Sequence, residues 1–108
     1  MTDRELLGLA AKAAGFVTWD FLAYVQDRML NVYDKEGRQQ VWNPISDGGD
    51  ALQLAVKLGM LIHVDNEYSR SHVKCKGRWF TCPHNDDADL ATRRAIVCAA
   101  AEIGESMP

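Results

Sequence analysis

The pattern of apolar positions along the chain predicts three helices. Apolar residues recur at helical spacing over about residues 3–14, occupy nearly every side of the segment 51–58, and are mixed with strong helix formers over 90–103. Thr or Asp residues precede each segment and can cap the free N–H groups of a first helical turn. A glycine follows each segment, so we expect the helices to end there and the middle helix to be largely buried.

β-Branched and aromatic residues dominate the segments between these helices, which favours strands. One strand is predicted over Phe16–Leu22, a second over 60–64, and residues 23–28 cannot be placed. Two further pairs of short runs flank loops that contain glycine, which indicates β-hairpins. The hairpins are 29–33 with 40–42, and 72–75 with 78–82, the latter turning at Lys76-Gly77.

This order of elements predicts an α+β fold. Hairpins imply an antiparallel or mixed sheet, here of about four to five strands, and three helices suffice to cover one or both of its faces. The length of 108 residues fits one domain, and the chain has no linker, repeat or low-complexity stretch. We therefore predict a single domain over residues 1–108.

Composition narrows the classes of function. Twelve basic against fifteen acidic side chains give a formal net charge of -3, which argues against a dominant nucleic-acid-binding surface. No apolar run approaches the ~20 residues of a membrane-spanning helix. The first residues lack the basic start and apolar stretch of a secretory signal, so we expect a cytoplasmic protein. Its cysteines, Cys75, Cys82 and Cys98, are then expected to be three unconnected, reduced thiols.

Three motifs together resemble a known family. They are the N-terminal Leu6-Leu7 helix that ends in Ala13-Ala14-Gly15, the run WNPISDGGDAL at 42–52 continuing into LAVKLG at 54–59, and ATRRAIV at 91–97 followed by AAAEIG at 99–104. In this order, and across nearly the whole chain, they resemble the small phage and prophage proteins grouped as the phage ABA sandwich domain. The resemblance implies an α-β-α sandwich and a place in the host-cell cytoplasm. It brings no established reaction, cofactor or catalytic residue.

A zinc site is the first chemical hypothesis that the sequence raises. His72, Cys75, Cys82 and His84 are residues of the types that zinc prefers. If Lys76-Gly77 is a two-residue turn, however, Cys75 pairs with Arg78 and Cys82 lies about 13 Å away, at about 3.3 Å per residue. We therefore predict no metal site.

A catalytic centre is the second chemical hypothesis. Cys98 lies among alanines on a predicted helix, where an inert buried thiol is expected. Cys82 precedes Pro83-His84, but no nucleophile motif surrounds it. The acidic groups around Asp47 and Asp87 are expected to cap helices instead of binding a cation. We predict no enzyme and no cofactor, and a hydrolase stays a third hypothesis without a residue that qualifies as its nucleophile.

The second hairpin is the best ligand-binding candidate in the sequence. Basic residues interleaved with aromatic ones can pair with phosphate and stack on a base. The alternative is a solvated hairpin whose charges deter edge-to-edge pairing of strands. A second candidate is the loop after the first hairpin, if it is exposed, although a packed tryptophan is also typical there. The candidate residues are Arg70, Lys74, Lys76, Arg78, Trp79, Trp42 and Asn43.

The sequence therefore leaves two functional hypotheses from different classes. The first is a non-enzymatic phage or prophage accessory protein that binds a protein partner or associates with itself as a homo-oligomer. The second is a protein that sequesters a nucleotide-like small molecule and so opposes a host defence signal. The absence of a convincing catalytic constellation favours the first hypothesis, and the basic hairpin favours the second.

Overall fold

Three helices and six strands make up the part of the chain that the computed structural model describes, which is residues 2–16, 24–26, 29–33 and 36–108. In chain order they are α1 (Asp3–Ala13), β1 (Tyr24–Gln26), β2 (Met29–Tyr33), β3 (Gln39–Trp42), α2 (Gly48–Leu58), β4 (Leu61–Asp65), β5 (Arg70–Cys75), β6 (Arg78–Pro83) and α3 (Ala88–Ser106). The predicted α+β class with three helices is confirmed. The strand predicted over 16–22 lies outside the described residues, apart from Phe16.

The described strands form two antiparallel sheets of three strands each. The first sheet has the order β1-β2-β3 and the second has the order β4-β5-β6. The sequence predicts about four to five strands in one sheet. The six described strands form two sheets instead of one. β3 pairs with β2 and is followed in the chain by α2, and β4 after that helix pairs with β5. Both sheets are antiparallel, as the predicted hairpins require.

The hairpin of β5 and β6 has the register that the sequence predicts. Cys75 pairs with Arg78, and the two residues between them have positive φ angles of 51° at Lys76 and 81° at Gly77. Two consecutive positive φ angles are typical of the tight turn whose twist matches that of the flanking strands. This turn fixes which side chains of β6 face each side of the second sheet.

Helix α3 lies between α1 and the second sheet. It contacts α1 on one side and β5 and β6 on the other, with α2 packed beside it. Most of its buried positions are small residues, which allow backbones to approach closely. The buried residues are Ala91, Ala95, Ile96, Val97, Ala99, Ala100, Ala101 and Gly104.

Polar contacts show that α1 and α3 run in the same direction. Near the start of α1, both carboxylate oxygens of Asp3 accept hydrogen bonds from the Arg94 guanidinium, at 3.2 and 3.3 Å. Near its end, the Lys12 ammonium donates to the Met107 carbonyl at 2.9 Å. Charged contacts therefore link the two helices at both ends of their shared length.

The helix starts follow the predicted caps. The Thr2 hydroxyl accepts the Glu5 N–H, and one Asp47 oxygen accepts two N–H groups of the first turn of α2. Asp87 does the same for Leu90 at the start of α3. Gly59 ends α2 with a left-handed φ of 65°, as expected. The carboxylates of Asp47 and Asp87 therefore accept helix N–H groups, as the prediction of helix caps requires.

The predicted end of α3 is wrong. The helix continues through Gly104 to Ser106, and its cap is Met107. Gly104 is needed for packing instead, because a Cβ atom added there would lie 1.9 Å from the Leu9 carbonyl oxygen of α1. A glycine inside a helix costs helix propensity, but here it allows the two backbones to touch.

We expect Gly104→Ala to destabilise the fold by about 1–3 kcal/mol, because the added methyl group forces α1 and α3 apart. In an unpacked helix the same change would stabilise the protein by up to about 1 kcal/mol. Gly48→Ala is the matched control, since a Cβ atom at Gly48 meets no atom within 4 Å. Urea unfolding followed by circular dichroism measures both, and equal stabilities of the two variants would contradict the packing role of Gly104.

Candidate functional site

The structure separates the candidate ligand-binding residues that the sequence places together. Adjacent strand residues face opposite sides of a sheet, so Trp79 and Arg78 cannot share one face. Lys74 and Trp79 are paired on the side of the second sheet away from α3, while Arg78 faces α3. The candidates thus fall at three places: Arg70, Lys74 and Trp79 on the outer face of the second sheet, Lys76 and Arg78 at the hairpin turn, and Trp42 and Asn43 before α2.

The outer face of the second sheet is basic and aromatic. The Lys74 ammonium lies 5.7 Å from the centre of the Trp79 ring, and the His72 ring meets Trp79 edge to face at 6.2 Å. His63 lies 5.8 Å from His72, whose Nδ1 is 2.8 Å from the Thr81 hydroxyl. The aromatic and basic groups on this face are therefore in contact with one another.

A cavity opens beside the second hairpin, between its turn and the end of α3. It has a volume of about 300 Å³, and we call it the hairpin cavity. The Arg78 guanidinium forms an ion pair with Glu102 there and lies 5.6 Å from the centre of the Phe80 ring. The cavity is lined by Cys75, Lys76, Arg78, Phe80, Ala99, Glu102, Ile103, Ser106 and Met107. Lys76 and Arg78 thus lie at the wall of the hairpin cavity, whose lining is largely apolar.

The second candidate ligand site, at Trp42 and Asn43, is buried, so of the two interpretations that the sequence leaves open the structure shows the packed tryptophan. Trp42 is 2% exposed and meets Phe16 edge to face at 5.4 Å. The Asn43 N–H donates to Asp50, and its side-chain oxygen accepts the Ser46 N–H. Burial raises the pKa of Asp50, against the lowering effect of the Asn43 N–H. Both candidates therefore hold the loop in place before α2.

An apolar groove between α2 and β4 was missed by the sequence interpretation. It has a volume of about 370 Å³, and we define it by Leu52, Ile62, Val64 and Ile96. The sequence predicts that α2 is largely buried, but Leu52 and Val56 are 59% and 72% exposed. They lie four residues apart and so share one helix face. The sequence of α2 does indicate an exposed apolar surface, because the helix has more apolar residues than one buried face can accommodate.

A buried polar cluster connects β5, α3 and the loop between β6 and α3. The Ser71 hydroxyl, fully buried, lies 2.9 Å from His84 Nε2 and 2.8 Å from the Thr92 hydroxyl. Thr92 donates its single hydroxyl proton to the Ala88 carbonyl, so it accepts from Ser71. Ser71 has then used its own proton and must accept from His84. The proton inventory therefore assigns a hydrogen atom to His84 Nε2.

This assignment decides against a serine–histidine nucleophile in this arrangement. A general base must accept the serine proton, whereas His84 Nε2 donates to Ser71. Ser71 is also 0% exposed, so a substrate has no access to its oxygen. The cluster satisfies buried polar atoms, and it does not support the hydrolase hypothesis.

The four residues considered for zinc do not converge. His72 contacts Thr81 on the outer face of the second sheet, whereas Cys75 donates to the Leu58 carbonyl at 3.7 Å. His84 lies in the buried cluster with Ser71. Within the described ranges, no group of three or more His, Cys, Asp or Glu residues is arranged to hold a metal ion.

The three cysteines are free thiols, as the sequence predicts. A hydrogen bond from the Cys98 thiol lowers the pKa of Cys82 to about 7, and the same interaction raises the pKa of Cys98. Burial raises the pKa of Cys75. This effect is not predictable from the sequence, because fifteen residues and a change of element separate Cys82 from Cys98.

Comparisons with known proteins found no match: no family model, no curated protein and no solved structure is similar to this chain. The resemblance to the phage ABA sandwich domain therefore stays a prediction. In the part of the chain that is described, no helix is long and apolar enough to cross a membrane.

We expect Ser71→Ala to destabilise the fold by about 1–3 kcal/mol, because it leaves the buried His84 N–H without an acceptor. Thr81→Val is the matched control. It removes the other hydroxyl–histidine contact of the second sheet, which is exposed, and should cost less than about 0.5 kcal/mol. Urea unfolding measures both, and a loss for Thr81→Val as large as that for Ser71→Ala would contradict the stabilising role of the buried cluster.

Proposed function

We propose that this chain is a non-enzymatic accessory protein of phage type, active in the host cytoplasm, whose function is to associate with a second copy of itself. The observation that carries the proposal is the α2–β4 groove, which places exposed apolar side chains beside an edge strand. The two features together favour a protein surface over a small ligand. The phage origin rests on the sequence resemblance alone.

The groove is lined by apolar and polar side chains. Leu52 and Val64 line it and are 59% and 43% exposed. Asp89 and Arg93 of α3 also line it, and the Arg93 guanidinium donates to the Ile45 carbonyl. An apolar centre with a polar rim is the usual anatomy of a protein interface.

The edge strand β4 supplies the second part of the surface. It is paired with β5 on one side only in the described sheet, so every second N–H and C=O group points away from that sheet. Its sequence, Leu-Ile-His-Val-Asp, contains no lysine or proline, which are residues that block strand addition. Leu61 and Val64 are exposed on it. An edge with these properties is a template for another strand.

A second copy fits this edge with two-fold symmetry. Antiparallel pairing of two β4 strands about their midpoint places Ile62 of each copy opposite Val64 of the other. Both residues face the groove, so the same step that pairs the strands also covers apolar surface of both copies. The result is one continuous six-stranded sheet across the dimer.

We expect Val64→Asp to weaken self-association at least tenfold, about 1.4 kcal/mol, because it places a carboxylate in the apolar centre of the interface. Sedimentation equilibrium of the wild-type chain and the variant measures the dissociation constants. Val41→Asp is the matched control. Val41 is 54% exposed on β3, one of the two edge strands of the described first sheet, and its substitution should leave association unchanged.

The outcomes separate the possibilities. A wild-type chain that stays monomeric at about 1 mM, where an association free energy of about -4 kcal/mol is detectable, overturns the proposal. Weakening by Val41→Asp instead of Val64→Asp would move the interface to the first sheet.

A second candidate function is favoured by the hairpin cavity. Lys76 and Arg78 could bind a phosphate while Phe80 offers a ring face, so a nucleotide-like small molecule fits its chemistry. The ion pair between Arg78 and Glu102 opposes this, because an anion must displace a carboxylate that already neutralises the guanidinium. This competition is the reason that we rank self-association first.

Thermal-shift measurements with mono-, di- and cyclic nucleotides test the second candidate. If one of them raises the Tm, we expect Arg78→Ala to remove that shift and Trp79→Ala to retain it, because the two side chains face opposite sides of β6. Each variant is compared with its own ligand-free Tm, since Arg78→Ala also breaks the ion pair with Glu102. If no nucleotide shifts the wild-type Tm, this candidate fails.

A further inference from the structure

We propose that His63 and His72 form a binding site for a divalent transition-metal ion on the outer face of the second sheet. They are two of the three histidines in the chain. The sequence interpretation weighed His72 only together with Cys75, Cys82 and His84, which do not converge, and it gave His63 no role. Neither the proposed self-association nor the hairpin cavity uses the two imidazoles.

The pairing of β4 with β5 places the two histidines opposite each other. His63 is the direct partner of His72 in the antiparallel register. Residues that are directly opposite point to the same face, with Cβ atoms about 5 Å apart. Ser71 and Val73, on either side of His72, are fully buried on the face that meets α3, so both imidazoles project from the other face. The sheet backbone thus holds the two rings as neighbours.

The separation of the two rings suits a shared metal ion. Their centres are 5.8 Å apart, and their planes are tilted by 38°. Two imidazoles that bind one tetrahedral ion through nitrogen atoms about 2.1 Å from it have ring centres about 5 Å apart. Because the His63 side chain is exposed, a small rotation of it brings the pair to this separation.

A contact with Thr81 orients one of the two rings. The Thr81 hydroxyl, on β6, lies 2.8 Å from His72 Nδ1. Histidines that bind a metal commonly donate their other ring N–H in such a contact, which fixes the orientation of the ring and the position of its proton. When Nδ1 donates to Thr81, Nε2 of His72 carries the lone pair that can bind an ion. Thr81 is therefore a positioning residue of the proposed site.

The ligand atoms select the class of ion. Neutral imidazole nitrogen suits zinc, copper and nickel, whereas magnesium and calcium prefer oxygen. Water fills the other coordination positions, because the described residues contain no group of three or more potential ligands. We therefore expect reversible binding of a zinc, copper or nickel ion, weaker than in a closed site with four protein ligands.

The charged neighbours on this face do not make it uniformly cationic. The Lys74 ammonium and the Arg70 guanidinium lie over aromatic rings, 5.7 and 5.5 Å from the ring centres. Asp65, two positions after His63 on β4, adds a carboxylate. The affinity must therefore come mainly from two nitrogen atoms that the sheet already holds close together.

Calorimetric titration of the reduced full chain with nickel chloride tests the site. We expect one ion per chain, and binding at least tenfold weaker in His63→Gln and in His72→Gln. The double variant should lose little more than either single variant, because a two-nitrogen site fails when one nitrogen is removed. Two ions per chain, each lost with one replacement, would overturn the proposal.

The positioning role of Thr81 has its own test. We expect Thr81→Val to weaken nickel binding about tenfold without a change in the circular dichroism spectrum. Thr81→Ser keeps the hydroxyl and should restore the wild-type affinity. Equal nickel affinities of the valine variant and the wild-type chain would contradict the proposed orientation of the His72 ring.

His84 provides an internal control, because its Nε2 contacts Ser71 in the buried cluster. In nuclear magnetic resonance spectra, paramagnetic nickel should perturb the ring signals of His63 and His72 much more strongly than those of His84. Val64→Asp, the variant that weakens self-association, should bind nickel as the wild-type chain does, and a loss there would overturn the assignment to one copy.

Two further results would overturn the proposal. One is the absence of binding at about 1 mM nickel, where a binding free energy of about -4 kcal/mol is detectable. The other is undiminished binding in the double histidine variant, which would assign the ion to the thiols or to a chain terminus.

Discussion

The contact between the backbones of α1 and α3 at Leu9 and Gly104 is the constraint on which the rest of the structure depends. A helix with larger side chains at the buried positions of α3 could not lie this close to α1 and still pack its other side against β5 and β6. Charged contacts at both ends, Asp3 with Arg94 and Lys12 with the Met107 carbonyl, hold the two helices in the same direction. The second sheet therefore rests on a helix pair, and the chemistry of its inner face is set by what α3 presents to it.

The side chains on the two faces of the second sheet consequently have different surroundings. On the inner face, α3 supplies partners to polar groups of the strands: Thr92 for Ser71 and Glu102 for Arg78. On the outer face, His72, Lys74 and Trp79 contact one another and face away from α3. The sheet has two edges without a strand partner in the described chain, β4 and β6, and beside the β4 edge α2 leaves an apolar groove.

Local features of this fold could be predicted from the sequence, and long-range ones could not. The caps at Thr2 and Asp47 and the turn at Lys76-Gly77 depend on residues within a few positions, so pattern reasoning finds them. Gly104 fits a helix-end pattern equally well, and only the approach of Leu9 from another element reveals its packing role. Pattern reasoning also treated the basic hairpin as one site, because the side of a strand that meets a helix is decided by tertiary packing.

The pairing of α1 with α3 has a consequence for how the protein is made. The helix nearest the start of this chain is completed only by one that begins 85 positions later, so the central contact is among the most non-local that the chain could form. Folds dominated by such contacts fold slowly, because a long loop must close, at a cost in chain entropy, before the contact can stabilise the structure. During synthesis, α1, with its buried residues Leu7 and Ala10, therefore emerges before the helix that packs against it, and a chaperone can bind it until α3 has left the ribosome.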